Sequence, residues 1–206
     1  MFENKFKAVF FDWDNTIVDT WPILLKATNA VLNHFNLSSI SLDEVKIRAR
    51  LSTRESFPEK FGDRWQEAQE IFYQAIDDGK AELKIYNDVM PKMKQLHNNG
   101  YKIAIISNKR NDMLRDEISN FKIPNDLILG SGDTEYDKPN PEMGIIALKY
   151  FGLKAKEAVY IGDSITDWEF AKNLNMPAIA IGNEHYDGPL LARFDSVNQL
   201  IDTLIV

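Results

Sequence analysis

The chain has 206 residues, 44% of them hydrophobic, a formal net charge of −7 and no cysteine. That length and apolar content suffice for one domain, or one domain with a smaller insertion, around a substantial core. The acidic balance argues against broad binding to nucleic acid or an anionic membrane and favours small-molecule chemistry, while the missing cysteines exclude disulfide scaffolds, thiolate zinc sites and cysteine nucleophiles.

The first element in chain order is "KAVFFDW" (7–13), a run nearly continuous in apolar residues. Such a run is expected of a strand covered on both faces. It ends in two carboxylates one residue apart, Asp12 and Asp14, followed by Thr16. The run after Lys5 and Lys7 stops too soon for a signal peptide, and no later stretch is long enough to span a bilayer, so the expectation is a soluble, cytoplasmic protein.

More than eighty residues separate this strand from the next, far beyond an ordinary α/β connection. Within that stretch, 21–37, 41–51 and 63–80 carry apolar residues at helical spacing, with Ser41 and Asp63 as candidate N-caps. Residues 18–87 are therefore expected to form a helical-bundle cap inserted into a core made of 1–17 and 88–206. The core continues with a helix over 88–99 and a strand at 101–107 ending in Ser107 and Asn108. A helix over 110–120 and a strand at 126–132 follow. Lys138 then lies in "YDKPNPE", where Asn140 could cap, and Pro141 start, a helix over 141–151. A strand at 157–163 ends in Asp163, with Asp167 one turn into a helix over 165–174. A strand at 176–182 and a helix near 196–205 close the chain. Alternating strands and helices of this kind predict an α/β fold, a Rossmann-like parallel sheet with helices on both faces.

In such sheets ligands bind beyond the carboxyl ends of the strands. Four carboxylates, a lysine, Ser107 and Asn108 are expected to converge there, and such an acid cluster is sustainable only with a cation. A hard divalent ion such as Mg²⁺ suits these oxygens, because it is held through one or two carboxylates, waters and substrate phosphate. Lys138 adds a positive charge, while Ser107 and backbone N–H groups can donate to phosphoryl oxygens.

"DWDNT", "ISN", the lysine of "DKPNPE" and "GDSITD" together resemble the four motifs of the haloacid dehalogenase-like (HAD) superfamily. The similarity spans essentially the whole chain and is nearest the phosphoglycolate phosphatase and β-phosphoglucomutase group, whose helical cap follows the first motif. The resemblance implies that Asp12 is the nucleophile that forms an aspartyl-phosphate, and that Asp14 protonates the leaving oxygen and then activates water. It also implies that Asp163 binds Mg²⁺ directly and Asp167 holds that site, with Asp12 and the Asp14 backbone carbonyl also on the metal. Ser107 and Lys138 would bind the phosphoryl group, with Thr16 and Asn108 as supports for the loop and phosphate contacts. An acid at Asp14 separates the chain from the dehalogenases, which need no leaving-group proton. Trp13 and Asn15 depart from the aliphatic residue and the glycine common at those places, with an expected effect on how the cap fits.

Other readings remain open. Arg48, Arg50 and Arg54 either grip a second anionic group of the substrate or form a solvated helix face, the usual state of a basic stretch. His34, His97 and His185 have no metal-like spacing, and "EIFY" (70–73) is expected in the core. The expected activity is Mg²⁺-dependent hydrolysis of a small phosphorylated metabolite, in a chain for which a monomer is compatible. A phosphomutase sharing the same catalytic residues is the alternative. A phosphonate-cleaving enzyme would use a cap lysine, with Lys46 and Lys60 as candidates, and a phosphate-sensing module without turnover is the reading from another class.

Overall fold

The computed structural model describes residues 5–48, 51–184, 186 and 188–204. Two compact units emerge, one of residues 1–17 and 85–206 and the other of residues 18–84.

The first unit is built on a six-stranded sheet. Its strands are β1 (Ala8–Phe11), β4 (Lys102–Arg110), β5 (Leu127–Ser131), β6 (Ala158–Gly162), β7 (Ala178–Ile181) and β8 (Ala192–Phe194). Their order is β5-β4-β1-β6-β7-β8, every pairing parallel. Helices α5 (Val89–Asn98), α6 (Asn111–Phe121), α7 (Glu142–Phe151), α8 (Ile165–Asn173) and α9 (Val197–Leu204) belong to the same unit. All four β1 residues are fully buried. Ala8 and Phe10 share a cluster with Tyr160 of β6, Met143 and Ala147 of α7 and Phe170 of α8. Val9 and Phe11 alternate to the opposite face and are equally buried there. Cover on both faces is the physical reason the run 7–13 lacks polar alternation.

β1 lies between β4 and β6, with Phe11 opposite Ile105 on one side and Ile161 on the other. The chain moves outward from β1 in both directions, so the carboxyl end of β1 is the topological switch point where parallel sheets form their crevice. β4 runs three residues past the predicted end at Ser107. Its register against β5 shifts between Ile106 and Arg110, an irregularity that re-aims the side chains from Ser107 to Lys109.

The second unit contains α1 (Trp21–His34), α2 (Leu42–Arg48), α3 (Thr53–Phe61) and α4 (Trp65–Gly79). Short strands β2 (Val18–Asp19) and β3 (Lys84–Ile85) pair with each other where this segment begins and ends. Ser41 caps α2, its Oγ accepting from Glu44 N at 3.3 Å while the Glu44 carboxylate accepts from Ser41 N at 2.9 Å. Asp63 does not cap α4. It sits in a 3-10 turn at Gly62–Arg64, and α4 begins after Arg64 without a side-chain cap. The extra helix α3 starts at Ser52, whose side chain accepts from Glu55 N, and buries no residue fully, which explains why its apolar periodicity is weak. Helix α1 stops at His34, short of the predicted 37, because Asn36 takes a positive φ of 54°. The Phe72 ring of "EIFY" is half-buried and meets Phe57 edge-on with centroids 5.6 Å apart.

Pro141 precedes α7 instead of opening it, and Asn140 Oδ1 accepts from Glu142 N at 3.0 Å. β8 was not foreseen, because its three residues are half-buried and exposed in turn with no apolar run. Among the described residues, no helix is long and apolar enough to cross a membrane.

Candidate active site

The end of β1 sets the position of Asp12. Its backbone N donates to Ile161 O at 2.8 Å, so the β1–β6 ladder fixes the residue before the chain turns away. Asn15 then adopts a φ of 60°. Asparagine tolerates this left-handed conformation better than other non-glycine residues, which accounts for its presence where glycine is frequent.

Lys138 draws the cluster together. Its Nζ donates to Asp12 Oδ1 at 2.7 Å, Asp167 Oδ1 at 2.7 Å and the Tyr160 hydroxyl at 2.9 Å, so all three ammonium hydrogens have protein acceptors. Asn108 holds the lysine's backbone from both sides, its Oδ1 accepting from Lys138 N and its Nδ2 donating to Lys138 O, each at 2.8 Å. Tyr160, in turn, approaches Ile106 O at 2.9 Å.

Asp167 is oriented by its own helix. Ser164 is the N-cap of α8, accepting from Asp167 N, while Asp167 Oδ2 accepts from Ser164 Oγ at 2.7 Å and Ser164 N at 3.1 Å. This capping box commits Oδ2 to Ser164 and leaves Oδ1 facing Lys138. Gly162 makes the approach possible, because a Cβ there would lie 2.3 Å from Asp167 Cγ. Asp163, half-buried, accepts from Thr16 Oγ1 at 3.2 Å, and its backbone carbonyl accepts from the Tyr186 hydroxyl at 2.8 Å.

One carboxylate oxygen from each of Asp12, Asp163 and Asp167 lies within 4.8 Å of the others. Burial pushes the Asp12 carboxyl up to about 7; Lys138 opposes the rise, and Asp167 and Asp14 add to it. Burial likewise lifts Asp163 well above the carboxylate range, with Asp167 and Asp12 adding to it. Burial works against the Lys138 charge, but Asp12 and Asp167 outweigh it and hold the ammonium well above its usual value. Carboxylates that resist ionisation for want of positive charge fit a divalent cation held by oxygen donors. Asp12 and Asp163 suit it best, since each gives only Oδ1 to a donor among the described residues.

The sequence predicts four converging carboxylates, but the cluster holds three. The Asp14 carboxylate turns instead to Lys109, Oδ1 accepting from its Nζ at 2.8 Å. Lys109 also pairs with Glu117 of α6 at 2.9 Å, and the indole of Trp13 donates to Glu117 Oε2 at 2.6 Å. Burial disfavours the Lys109 charge, yet Asp14 and Glu117 raise its pKa above the usual lysine value. Burial raises Glu117, with Lys109 opposing. Trp13 is fully buried, and both its indole bond and its ring contact with Phe121, at 6.4 Å, lie within the α/β unit.

Ser107 is buried at the β4 irregularity and accepts from Lys109 N at 3.2 Å. Thr16 meets the Asp163 carboxylate, and Asn108 meets the Lys138 backbone. Arg48 is exposed and pairs with Glu44 along α2 at 3.4 Å, the solvated-face arrangement. Arg54 is half-buried near the start of α3, and Arg50 lies outside the described residues, as does His185. His34 pairs with Glu67 and His97 with Asp126, neither in a metal cluster. The ammonium of Lys46 lies over the Trp21 ring and that of Lys60 over Phe61. Sequence reasoning missed Lys109, Glu117 and Tyr160. A lysine directly after "ISN" and a glutamate on the apolar stripe of α6 are the signals that could have found the first two.

A family model for haloacid dehalogenase-like hydrolases matches residues 9–181. Phosphoglycolate phosphatase 1 from Pseudomonas aeruginosa is 26% identical over 210 residues, covering 96% of this chain and 77% of the relative. Pyrophosphatase PpaX from Bacillus mycoides is 24% identical over 180 residues, covering 86% and 84%. Among solved structures, a haloacid dehalogenase-like family hydrolase from Streptococcus pneumoniae superimposes with a TM-score of 0.83 at 19% identity, covering 97% of this chain and 98% of that one. The matched residues include Val9–Phe11 of the switch-point strand, the lysine and both acidic motifs, and the chain therefore belongs to the haloacid dehalogenase-like hydrolase family.

Proposed function

We propose that the chain hydrolyses a small phosphorylated metabolite with a divalent cation, Mg²⁺ by the chemistry of its oxygen donors, through an aspartyl-phosphate on Asp12. The observation that carries this reading is Lys138 Nζ bridging Asp12 and Asp167 at 2.7 Å each beside Asp163. Asp12 attacks phosphorus in line, forming the acyl phosphate as the ester P–O bond breaks. Asp14 gives a proton to the leaving oxygen and recovers one from the water that releases phosphate. Asp163, with Asp12 and the Asp14 carbonyl, would hold the cation, and Asp167 fixes Lys138 beside them. The cation, when bound, supplies positive charge to the phosphoryl oxygens. Ser107 donates to the phosphoryl group, Lys138 neutralises it, and Thr16 and Asn108 brace the two loops. Residues 18–84 are the helical cap of this reading.

The substrate class is a small phosphomonoester or pyrophosphate, in keeping with the two named relatives. The test is a panel of 2-phosphoglycolate, glycerol 3-phosphate, hexose phosphates and pyrophosphate, each with Mg²⁺, run beside Asp12→Asn. Free phosphate is expected from the wild-type chain, and a loss of several orders of magnitude from the folded variant. Comparable release from Asp12→Asn would overturn the assigned nucleophile, and an isomerised product with little phosphate would indicate phosphoryl transfer within the sugar.

A further inference from the structure

Lys109, Glu117 and Trp13 form a buried group that the hydrolytic steps above do not use. The side chains of Lys109 and Glu117 are each 9% exposed, and Trp13 is fully buried. Burying two ions is costly unless their geometry and hydrogen bonds compensate, and an apolar pair of similar volume often serves stability as well. Their placement is therefore informative. The β4 irregularity aims Lys109 back toward the loop after β1, where its ammonium meets Asp14 Oδ1 at 2.8 Å. Glu117 anchors that ammonium at 2.9 Å and accepts the Trp13 indole N–H at 2.6 Å, so one carboxylate ties down both the lysine and the residue preceding Asp14. Asp14 keeps a side-chain exposure of 24%, and among the described residues its Oδ2 accepts no hydrogen bond.

We infer that Lys109 is a positioning residue for the reaction: anchored by Glu117 and Trp13, it holds one oxygen of Asp14 and leaves the other to exchange the proton with the leaving group and with water. The inference rests on the assignment of Asp14 as acid and base. In the first half-reaction Asp12 bonds to phosphorus, the ester P–O bond breaks, and the departing oxygen takes the Asp14 proton. An alkoxide needs that proton, whereas p-nitrophenolate is stable enough to leave without it. A displaced Asp14 therefore penalises alkyl esters selectively, while a general loosening of the site penalises both.

The experiment compares kcat/KM for p-nitrophenyl phosphate and for the alkyl monoester of the panel that wild-type protein hydrolyses fastest, because kcat/KM reports the first half-reaction. General acid catalysis contributes about a hundredfold or more. Lys109→Met is expected to lower the alkyl value by about thirtyfold or more, with a loss on p-nitrophenyl phosphate at least about tenfold smaller. In an Asp14→Asn background the same substitution is expected to add less than about threefold, since residues acting as one unit are not additive. Lys109→Met/Glu117→Gln carries the same test if the single variant does not fold, because it removes the uncompensated carboxylate and keeps an acceptor for Trp13. Equal losses on the two esters in a folded variant, or a full loss on top of Asp14→Asn, would overturn the inference alone. Absence of phosphate release from every ester by wild-type protein would overturn it together with the proposed function.

Discussion

At the scale of single residues, the site is an excess of buried negative charge balanced by few cations. Lys138 faces two carboxylates and a phenol with its own side chain only 4% exposed. Removing one partner of such a group leaves the others buried and uncompensated, at a cost of about 3–5 kcal/mol. Lys138→Met is thus expected to lower the unfolding free energy of metal-free protein, read by urea titration, by that order and to abolish phosphate release. Asp12 supplies a pH prediction. Its carboxyl is raised to about 7 from the ordinary 3.8, mainly by burial, so the folded chain binds a proton there that the unfolded chain releases. That contribution to stability is complete below about 4 and is lost as pH rises through about 7. A divalent cation acts oppositely, because it competes with the proton. The rise in melting temperature on adding saturating Mg²⁺ is expected to be larger at pH 8 than at pH 5, and equal rises would contradict a cation at Asp12. Asp12, Lys138 and Asp163 were legible in the sequence because each sits in a short local pattern, the two aspartates at strand ends and the lysine in the proline-flanked loop before α7. The bond between Asp14 and Lys109 was not, because it joins residues 95 apart.

At the scale of elements, α8 and the end of β6 act as one device. Ser164 caps the helix while gripping Asp167, and Gly162 clears the space that Asp167 occupies. Gly162→Ala places a methyl where Asp167 Cγ already lies, and Ser164 and Lys138 prevent that side chain from yielding. Overpacking of this kind costs about 1–3 kcal/mol, and the expected kinetic result is a fall in kcat of tenfold or more, read beside a thermal melt. Ser164→Ala removes the cap and should cost about 1 kcal/mol by urea titration, with a smaller kinetic loss because Lys138 still holds Oδ1. The inner strands of the sheet were readable from sequence because burial on both faces leaves an unbroken apolar run. Helix α3 and strand β8 were not, since neither buries a continuous set of side chains.

At the scale of the whole molecule, the α/β unit keeps β1 at the centre of its sheet although residues 18–84 intervene before the next strand. The two points where the chain leaves and re-enters are adjacent, with Tyr86 N donating to Ile17 O at 3.1 Å. A short Gly/Ser linker can bridge them, and loop-closure entropy grows only slowly with length. Replacing 18–84 by such a linker is therefore expected to leave a cooperatively melting α/β unit that still gains thermal stability from Mg²⁺. Loss of cooperative melting would show that the sheet depends on the helical segment.

What the sequence determined by itself is the α/β layout and the set of candidate site residues, because apolar runs, breaks and caps depend on near neighbours. The family followed from four short motifs in order for the same reason. Only tertiary structure decided which groups touch. It placed β1 between β4 and β6, joined Asp14 to Lys109, and made Tyr160 a hydrogen-bond partner of Lys138. Those contacts arise where parallel strands end side by side, and strand neighbours are set by long-range packing that no local pattern encodes.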